Sequence, residues 1–303
     1  MPNFEDQYIT VGGVRTRYWQ AGDQGSAVLL LHGIGCSVLE WERNISALAK
    51  SHRVFAVDLL GFGLTDKPVN ENYCIQRLAQ FSLDFLAAHN VSRAHIAGNS
   101  LGGSIALECA RIAPERVASQ VLVDPAGVDR RGTLLEFRLA TIPFLGEILT
   151  RPNRMGTRML WRKAFADPEA VVTDGMVNTK VALASMPGAH AAFLKTLRSF
   201  VDFGGFRPDH VNALQAALPG IVAPTLVIWG RNDQFVSVAH AEVLRRMLPN
   251  VQVQIWDHCG HAPQIEHPEK FNQTVLAFWR GLDANASIIR PVHERISGGR
   301  FEP

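Results

Sequence analysis

Residues 93–114 read RAHIAGNSLGGSIALECARIAP. A short apolar run, Arg93–Asn99, stops at Gly98-Asn99-Ser100-Leu101-Gly102, and a run with helical periodicity, Leu101 to Ala113, follows and ends before Pro114. This is strand, sharp turn, helix. A serine at such a turn sits on strained backbone at a helix N-terminus, with its hydroxyl held bare for attack. The flanking glycines remove side chains that would collide there. The helix dipole and its first amides favour negative charge beside Ser100.

Short runs apolar on both faces recur on either side of this segment: Ala27–Gly33, Arg53–Asp58 and Ser119–Pro125, each bounded by Gly, Asp or Pro. Such runs suit strands buried on both sides of a parallel sheet. Ile75, Leu78, Ala79, Phe81, Ser82, Phe85 and Leu86 form a helical stripe between two of them. Alternation with Gly12-Gly13 predicts a leading hairpin over Gln7 to Gln20. The pattern is α/β, with helices on both faces of a mostly parallel sheet.

From Val128 to Ala216 the rhythm stops. Helical pieces such as Leu134–Ala140 and Ala191–Phe200 are broken at Pro143, Gly146, Pro152, Pro187-Gly188 and Gly204-Gly205, with no clear strand. The stretch predicts a helical insertion after the sixth strand. The core then resumes with Ala223–Gly230, a helix near Ala239–Met247, Val251–Asp257 and a helix over Pro268–Leu282. The expected division is a first core part over 1–127, a cap over 128–216, a second core part over 217–283 and a mobile tail over 284–303.

Composition narrows the function. The chain has 303 residues, is 47% hydrophobic and 19% charged, and carries 30 basic against 28 acidic residues. A formal charge of +2 calls for neither nucleic acid nor an anionic surface. No run approaches the roughly 20 apolar residues that a membrane span needs, and no leader is visible at the start. Four cysteines without a CxxC pair suggest free thiols and a cytoplasmic setting. No cofactor and no metal are expected, and a homodimer is compatible with this composition.

A serine nucleophile needs a base, and the base an orienting acid. Asp233, in WGRNDQFV, and His261, in DHCGHAP, each follow a later strand and reach the carboxyl edge of the sheet beside Ser100. Asp124, at the end of VLVD, is the rival acid; its blander role is to cap the turn before Pro125. His258 and His267 compete with His261. Two amides for the developing oxyanion are expected from Leu101 and from Ile34, in His32-Gly33-Ile34-Gly35. His32 is read as a brace for that loop. Gly33-Ile34-Gly35 with Asp58 mimics a dinucleotide fingerprint, but Val38 stands at its third glycine. A zinc site from His258, Cys259, His261 and His267 would crowd its ligands.

Taken together, HGIG, DLLGFGLTDKP, GNSLGG, GRND and CGHAPQIEHPEKF resemble the α/β-hydrolase superfamily, and most closely its lid-bearing esterases and meta-cleavage-product hydrolases. The resemblance spans roughly Tyr8 to Leu282. It implies Ser100 as nucleophile, Asp233 as acid, His261 as base and the Ile34 and Leu101 amides as oxyanion donors. Asp58, Gly61, Gly63 and Pro68 match a turn whose role is shape. Dehalogenases and epoxide hydrolases carry an aspartate at the position of Ser100. Carbon–carbon hydrolases commonly carry a GGGPG-like loop and a tryptophan after the histidine; here stand Gly35-Cys36-Ser37 and Ala262.

The expected activity is hydrolysis of apolar or aromatic small-molecule esters through an acyl-enzyme. The alternatives are carbon–carbon hydrolysis of ring-fission products and a non-catalytic small-molecule receptor. Trp41, Phe137, Phe144, Leu145, Met155, Met159, Trp161 and Val236 are the expected pocket. Arg138, Arg151, Arg154, Arg158, Arg162 and Arg198 are the cap cations that could hold a carboxylate.

Overall fold

Val28, Leu29, Leu30 and Leu31 have no solvent exposure, and their side chains divide between two cores. Leu29 and Leu31 face one, Val28 and Leu30 the other, as the two-residue period of a strand requires. The computed structural model describes residues 4–289. Its strands are β1 (Gln7–Val11), β2 (Val14–Ala21), β3 (Ala27–Leu31), β4 (Arg53–Val57), β5 (Ala94–Asn99), β6 (Val117–Val123), the short pair β7 (Val201–Asp202) and β8 (Gly205–Phe206), β9 (Thr225–Gly230) and β10 (Val251–Trp256).

Eight of these form one sheet in the order β1-β2-β4-β3-β5-β6-β9-β10. β1 and β2 pair antiparallel through the Gly12-Gly13 turn, where φ is +55° and +82° as a two-residue hairpin demands. β2 runs antiparallel to β4, and every later neighbour is parallel.

The helices are α1 (Ile45–Leu48), α2 (Ile75–Ala88), α3 (Leu101–Ile112), α4 (Leu135–Ala140), α5 (Leu145–Leu149), α6 (Arg154–Arg162), α7 (Pro168–Val171), α8 (Asp174–Ala184), α9 (Ala189–Phe200), α10 (Pro208–Ala217), α11 (Ala239–Met247), α12 (Pro263–Glu266) and α13 (Pro268–Ile289). α2 turns Leu78, Phe81 and Phe85 onto one face of the sheet together with Ile105 of α3. α1 and α13 close the other face with Ile45, Leu48, Phe271, Val275 and Trp279. Burying each such side chain contributes about 1.5–3 kcal/mol.

The excursion between β6 and β9 holds α4 to α10. Two of its helices start on side-chain caps: Asn153 accepts the Gly156 N–H at 2.7 Å ahead of α6, and Thr173 accepts the Met176 N–H at 3.1 Å ahead of α8. Two features differ from expectation. The excursion does contain a strand pair, β7 with β8. And α13 continues to Ile289, seven residues beyond Leu282, because no Gly or Pro interrupts Asp283–Ile289. From residue 290 onward, the tail read as mobile lies outside the described residues.

Candidate active site

The order of strand addition reverses at β3, whose parallel neighbours are β4 on one side and β5 on the other, and the crevice at such a point is where open α/β sheets bind ligands. Leu31 pairs with Gly98, so the Gly33 loop and the Ser100 turn start side by side. A Cβ on Gly33 would lie 3.5 Å from the Ser100 Cβ.

Ser100 takes φ +55° and ψ −115°, which an L-residue reaches only under strain. Its N–H donates to the Val123 carbonyl at 2.8 Å, pinning the turn to β6. The glycines around it are required by close approach. A Cβ on Gly98 would sit 2.1 Å from the Gly102 carbonyl oxygen, and one on Gly102 would sit 2.2 Å from that of Leu31. Ser100 is only 8% exposed: it is reached through a cavity and not from the open surface, because the excursion roofs it.

Asp233 follows β9 and His261 follows β10. The His261 Nδ1–H donates to Asp233 Oδ2 at 2.7 Å, while Asp233 Oδ1 accepts the N–H groups of Phe235 and Val236 at 2.7 and 3.0 Å. The His261 loop is fixed from two sides. Asn99 Nδ2 donates to the His261 carbonyl at 2.9 Å, and the His261 N–H donates to the Ala164 carbonyl at 2.6 Å. Glu266 reinforces this by accepting the N–H groups of Gly260 and Ala166, both at 2.7 Å. Burial holds its carboxyl above the usual carboxylate range.

Leu101 opens α3, so its amide belongs to a first turn without intrahelical acceptors. Ile34 lies inside the turn closed by the Cys36 N–H on the Gly33 carbonyl at 3.2 Å. His32 braces this loop: Nδ1 bonds the Gly33 carbonyl at 2.7 Å and Nε2 accepts the Leu59 N–H at 2.9 Å. This tautomer is neutral, and burial lowers the tendency of His32 to protonate. Asp58 accepts the N–H groups of Val38 and Leu64 and meets Arg17. His258 is exposed, and its carbonyl is held by His267 Nε2 at 3.0 Å; neither ring borders the cavity.

The cavity has a volume of about 560 Å³. Ser100 and His261 share its wall with Phe137, Met159 and Trp161 of the expected pocket. The five other expected members do not line it. Trp41 is fully buried against Phe271, on the far side of the sheet. Val236 is drawn into the core through its bond to Asp233 and its bridge to Thr133. Phe144 precedes α5 at φ +65° and stands 85% exposed. Leu145 beside it also faces away, and so does Met155. Short helices give too few turns for periodicity to fix the inward face.

Residues not anticipated complete the wall. Phe235 packs 4.9 Å from the His261 ring and 5.6 Å from Phe137. Lys180, from α8, places Nζ 3.4 Å over the Trp161 ring and 3.6 Å from Glu40 Oε1, close to the Gly33 loop. Of the arginines, Arg154 and Arg158 share Asp174, Arg162 pairs with Glu169 and Arg198 with Glu147. Arg138 bonds the Phe203 carbonyl, whereas Arg151 and Arg162 border the cavity. Cys36 also lines it, but burial raises its thiol well above the ordinary range and keeps it protonated.

Residues 26–268 match the family described as alpha/beta hydrolase fold. The chain belongs to that family. This α/β-hydrolase is 31% identical over 293 residues to the 2-hydroxy-6-oxo-6-(2'-aminophenyl)hexa-2,4-dienoic acid hydrolase of Metapseudomonas resinovorans, covering 95% of this chain and 94% of that protein. Among solved structures, a meta-cleavage product hydrolase from Pseudomonas fluorescens IP01 superposes with a TM-score of 0.78 at 28% identity, covering 91% of this chain and 97% of that one. A membrane phospholipase A superposes with a TM-score of 0.75 at 30% identity, covering 92% and 87%. Among the described residues, no helix of this α/β-hydrolase is long and apolar enough to cross a membrane.

Proposed function

We propose that this α/β-hydrolase cleaves a carbon–carbon bond in a ring-fission product, an apolar dienone bearing a carboxylate. The observation that carries the reading is the shared cavity wall: Ser100 and His261 stand with the apolar Phe137, Met159 and Trp161 and with the cation Lys180, at a polar end that includes Glu40. The full-length relative named for a hexadienoic acid supports the substrate class. This reading replaces ester hydrolysis as the leading one.

Ser100 Oγ adds to the ketone carbon while His261 Nε2 takes its proton, and Asp233 stabilises the imidazolium. The resulting oxyanion faces the amides of Ile34 and Leu101. Collapse breaks the carbon–carbon bond. The leaving carbon takes the electron pair, delocalised into the conjugated carbonyl of the keto tautomer, and accepts the proton from His261. Water, deprotonated by the same imidazole, then cleaves the acyl-enzyme and frees a carboxylic acid and Ser100. Residues 128–216 act as a cap on core parts 1–127 and 217–283. Four unpaired thiols suit a reducing, cytoplasmic setting, and a homodimer is compatible with this scheme.

A carboxylesterase is the second reading, favoured by one observation: Glu40 lies 3.6 Å from Lys180 and offsets its charge, so the cavity is less suited to an anion than the lysine alone suggests. Rates on a graded series of nitrophenyl esters, set beside a yellow ring-fission dienone, separate the two. A kcat/KM for the dienone at least ~10-fold above the best ester supports the carbon–carbon reading, and the reverse order overturns it. Binding without turnover of either identifies a receptor.

A further inference from the structure

We propose that Asp124 is a neutral carboxylic acid that positions Asp233 by donating its proton to the carboxylate that orients His261. The inference rests on the triad reading above. Asp124 follows β6 directly, is fully buried, and holds φ at +44°, a conformation costly for a non-glycine residue. Its N–H is anchored to the Ile228 carbonyl at 3.1 Å, and its Oδ1 accepts the Gly230 N–H at 2.9 Å. The strained backbone thus aims the carboxyl at the start of the Asp233 loop. There Asp124, Asp233 and His261 each offer one atom, all within 4.8 Å of one another.

Asp124 Oδ2 is buried without any donor. A bare carboxylate oxygen there would be unsatisfied, whereas a protonated one becomes a donor with an acceptor at hand. The titratable groups facing Asp124 are Asp233, Glu266, Cys259 and His261, with no lysine or arginine among them. Two carboxyl groups this close in a dry site cannot both ionise, so one keeps a proton.

Asp233 has the stronger claim to the charge, because its two oxygens accept from Phe235, Val236 and His261. Asp124 has one donor only. Burial, then the Asp233 charge, raise the Asp124 carboxyl well above the ordinary range. The base therefore senses one negative charge instead of two, and the imidazolium formed during catalysis is balanced rather than overcompensated.

The test compares Asp124→Asn and Asp124→Ala by the acid limb of kcat/KM, on whichever of the two substrate classes the wild type turns over. Alanine removes the donor, leaves Asp233 more basic, and moves the limb up by ~0.5 pH unit or more. Asparagine supplies an N–H at the same place without charge and restores the midpoint to within ~0.3 unit. Downward shifts in both variants mean that Asp124 was ionised and overturn the proposal; an unmoved limb in both assigns a purely structural role and overturns it too. If the alanine variant does not fold, infrared spectroscopy of the wild type decides. A protonated-carboxyl band near neutral pH, lost in Asp124→Asn, supports the proposal, and its absence ends it. A wild type inactive on both substrates would sink the triad reading alone, since the infrared band still reports on Asp124.

Discussion

Asn99 and His261, 162 residues apart in sequence, are joined by a hydrogen bond of 2.9 Å from the Asn99 side chain to the His261 carbonyl. The residue before the candidate nucleophile thereby fixes the backbone of the candidate base, and the same amide also reaches the Val123 carbonyl at 3.2 Å. Asn99→Ala leaves the His261 carbonyl without this donor in a buried site, at a cost of about 1–3 kcal/mol, while the Val123 carbonyl keeps the Ser100 N–H. The expected outcome is a Tm lowered by several degrees and a kcat lowered ~10-fold with KM little changed. Steady-state kinetics beside thermal unfolding check it; full activity with lowered Tm would mean the bond serves the fold alone.

Ser100→Ala removes the hydroxyl but keeps the turn. Turnover on either substrate class is expected to fall at least ~10³-fold, with Tm within ~2 °C of wild type. Ser100→Gly relieves the positive φ and is expected to raise Tm. A serine-to-alanine variant that still forms product at the original rate would remove Ser100 from the mechanism.

At the polar end of the cavity, Lys180 and Glu40 make opposite predictions. Lys180→Met is expected to raise KM for a carboxylate-bearing dienone ~10-fold and to leave KM for a neutral aryl ester nearly unchanged. Glu40→Gln keeps an acceptor for the Gly33 N–H, now 3.2 Å away, and frees the cation. It should lower KM for the dienone. Equal effects of Lys180→Met on both substrates would show that the lysine packs on Trp161 without reading charge.

Gly98→Ala tests the turn sterically. The added carbon would meet backbone of Gly102 and Gly103 within 2.7 Å, with no flexible side chain to yield. Soluble expression is expected to collapse. A variant with wild-type Tm would show that α3 can slide away from β5.

Stability should also fall toward acid. His95 is buried between Ser119 Oγ at 2.7 Å and Ser26 Oγ at 3.1 Å, and burial, then His52 and Arg93, lower its pKa to about 4. Its folded pKa lies below the unfolded value near 6.5, so the unfolded chain binds more protons between the two. The contribution is full above pH ~6.5 and is lost as pH falls toward ~4, amounting to about 3 kcal/mol. Urea unfolding at pH 7.5 and 5 measures it. His95→Gln should flatten the dependence, and an unchanged slope would rule His95 out as its source.

The turn at Ser100 was legible because its cause is local: Gly98 and Gly102 answer contacts set by neighbouring strand and helix. Asp233 and His261 were legible for a related reason, since each follows a strand whose place in the sheet the alternation revealed. The cavity was not. Trp41 and Val236 are as apolar as Phe137, and only the packing of α13 and the Thr133 bridge sends them elsewhere. Lys180 is one lysine among exposed neighbours in sequence, and it gains meaning only where α8 passes the loop after β3. Asn99 was read as part of the turn motif, and nothing local announced its bond to a loop 162 residues on.

The bond from the His261 N–H to the Ala164 carbonyl makes the imidazole's own backbone a hinge pin for the roof. A swing wide enough to free Ala164 would loosen the proton acceptor at the same moment. That one bond ties the position of Ala164 to the backbone of the candidate base. Cross-linking the roof down should slow entry without dulling the chemistry of a molecule already inside.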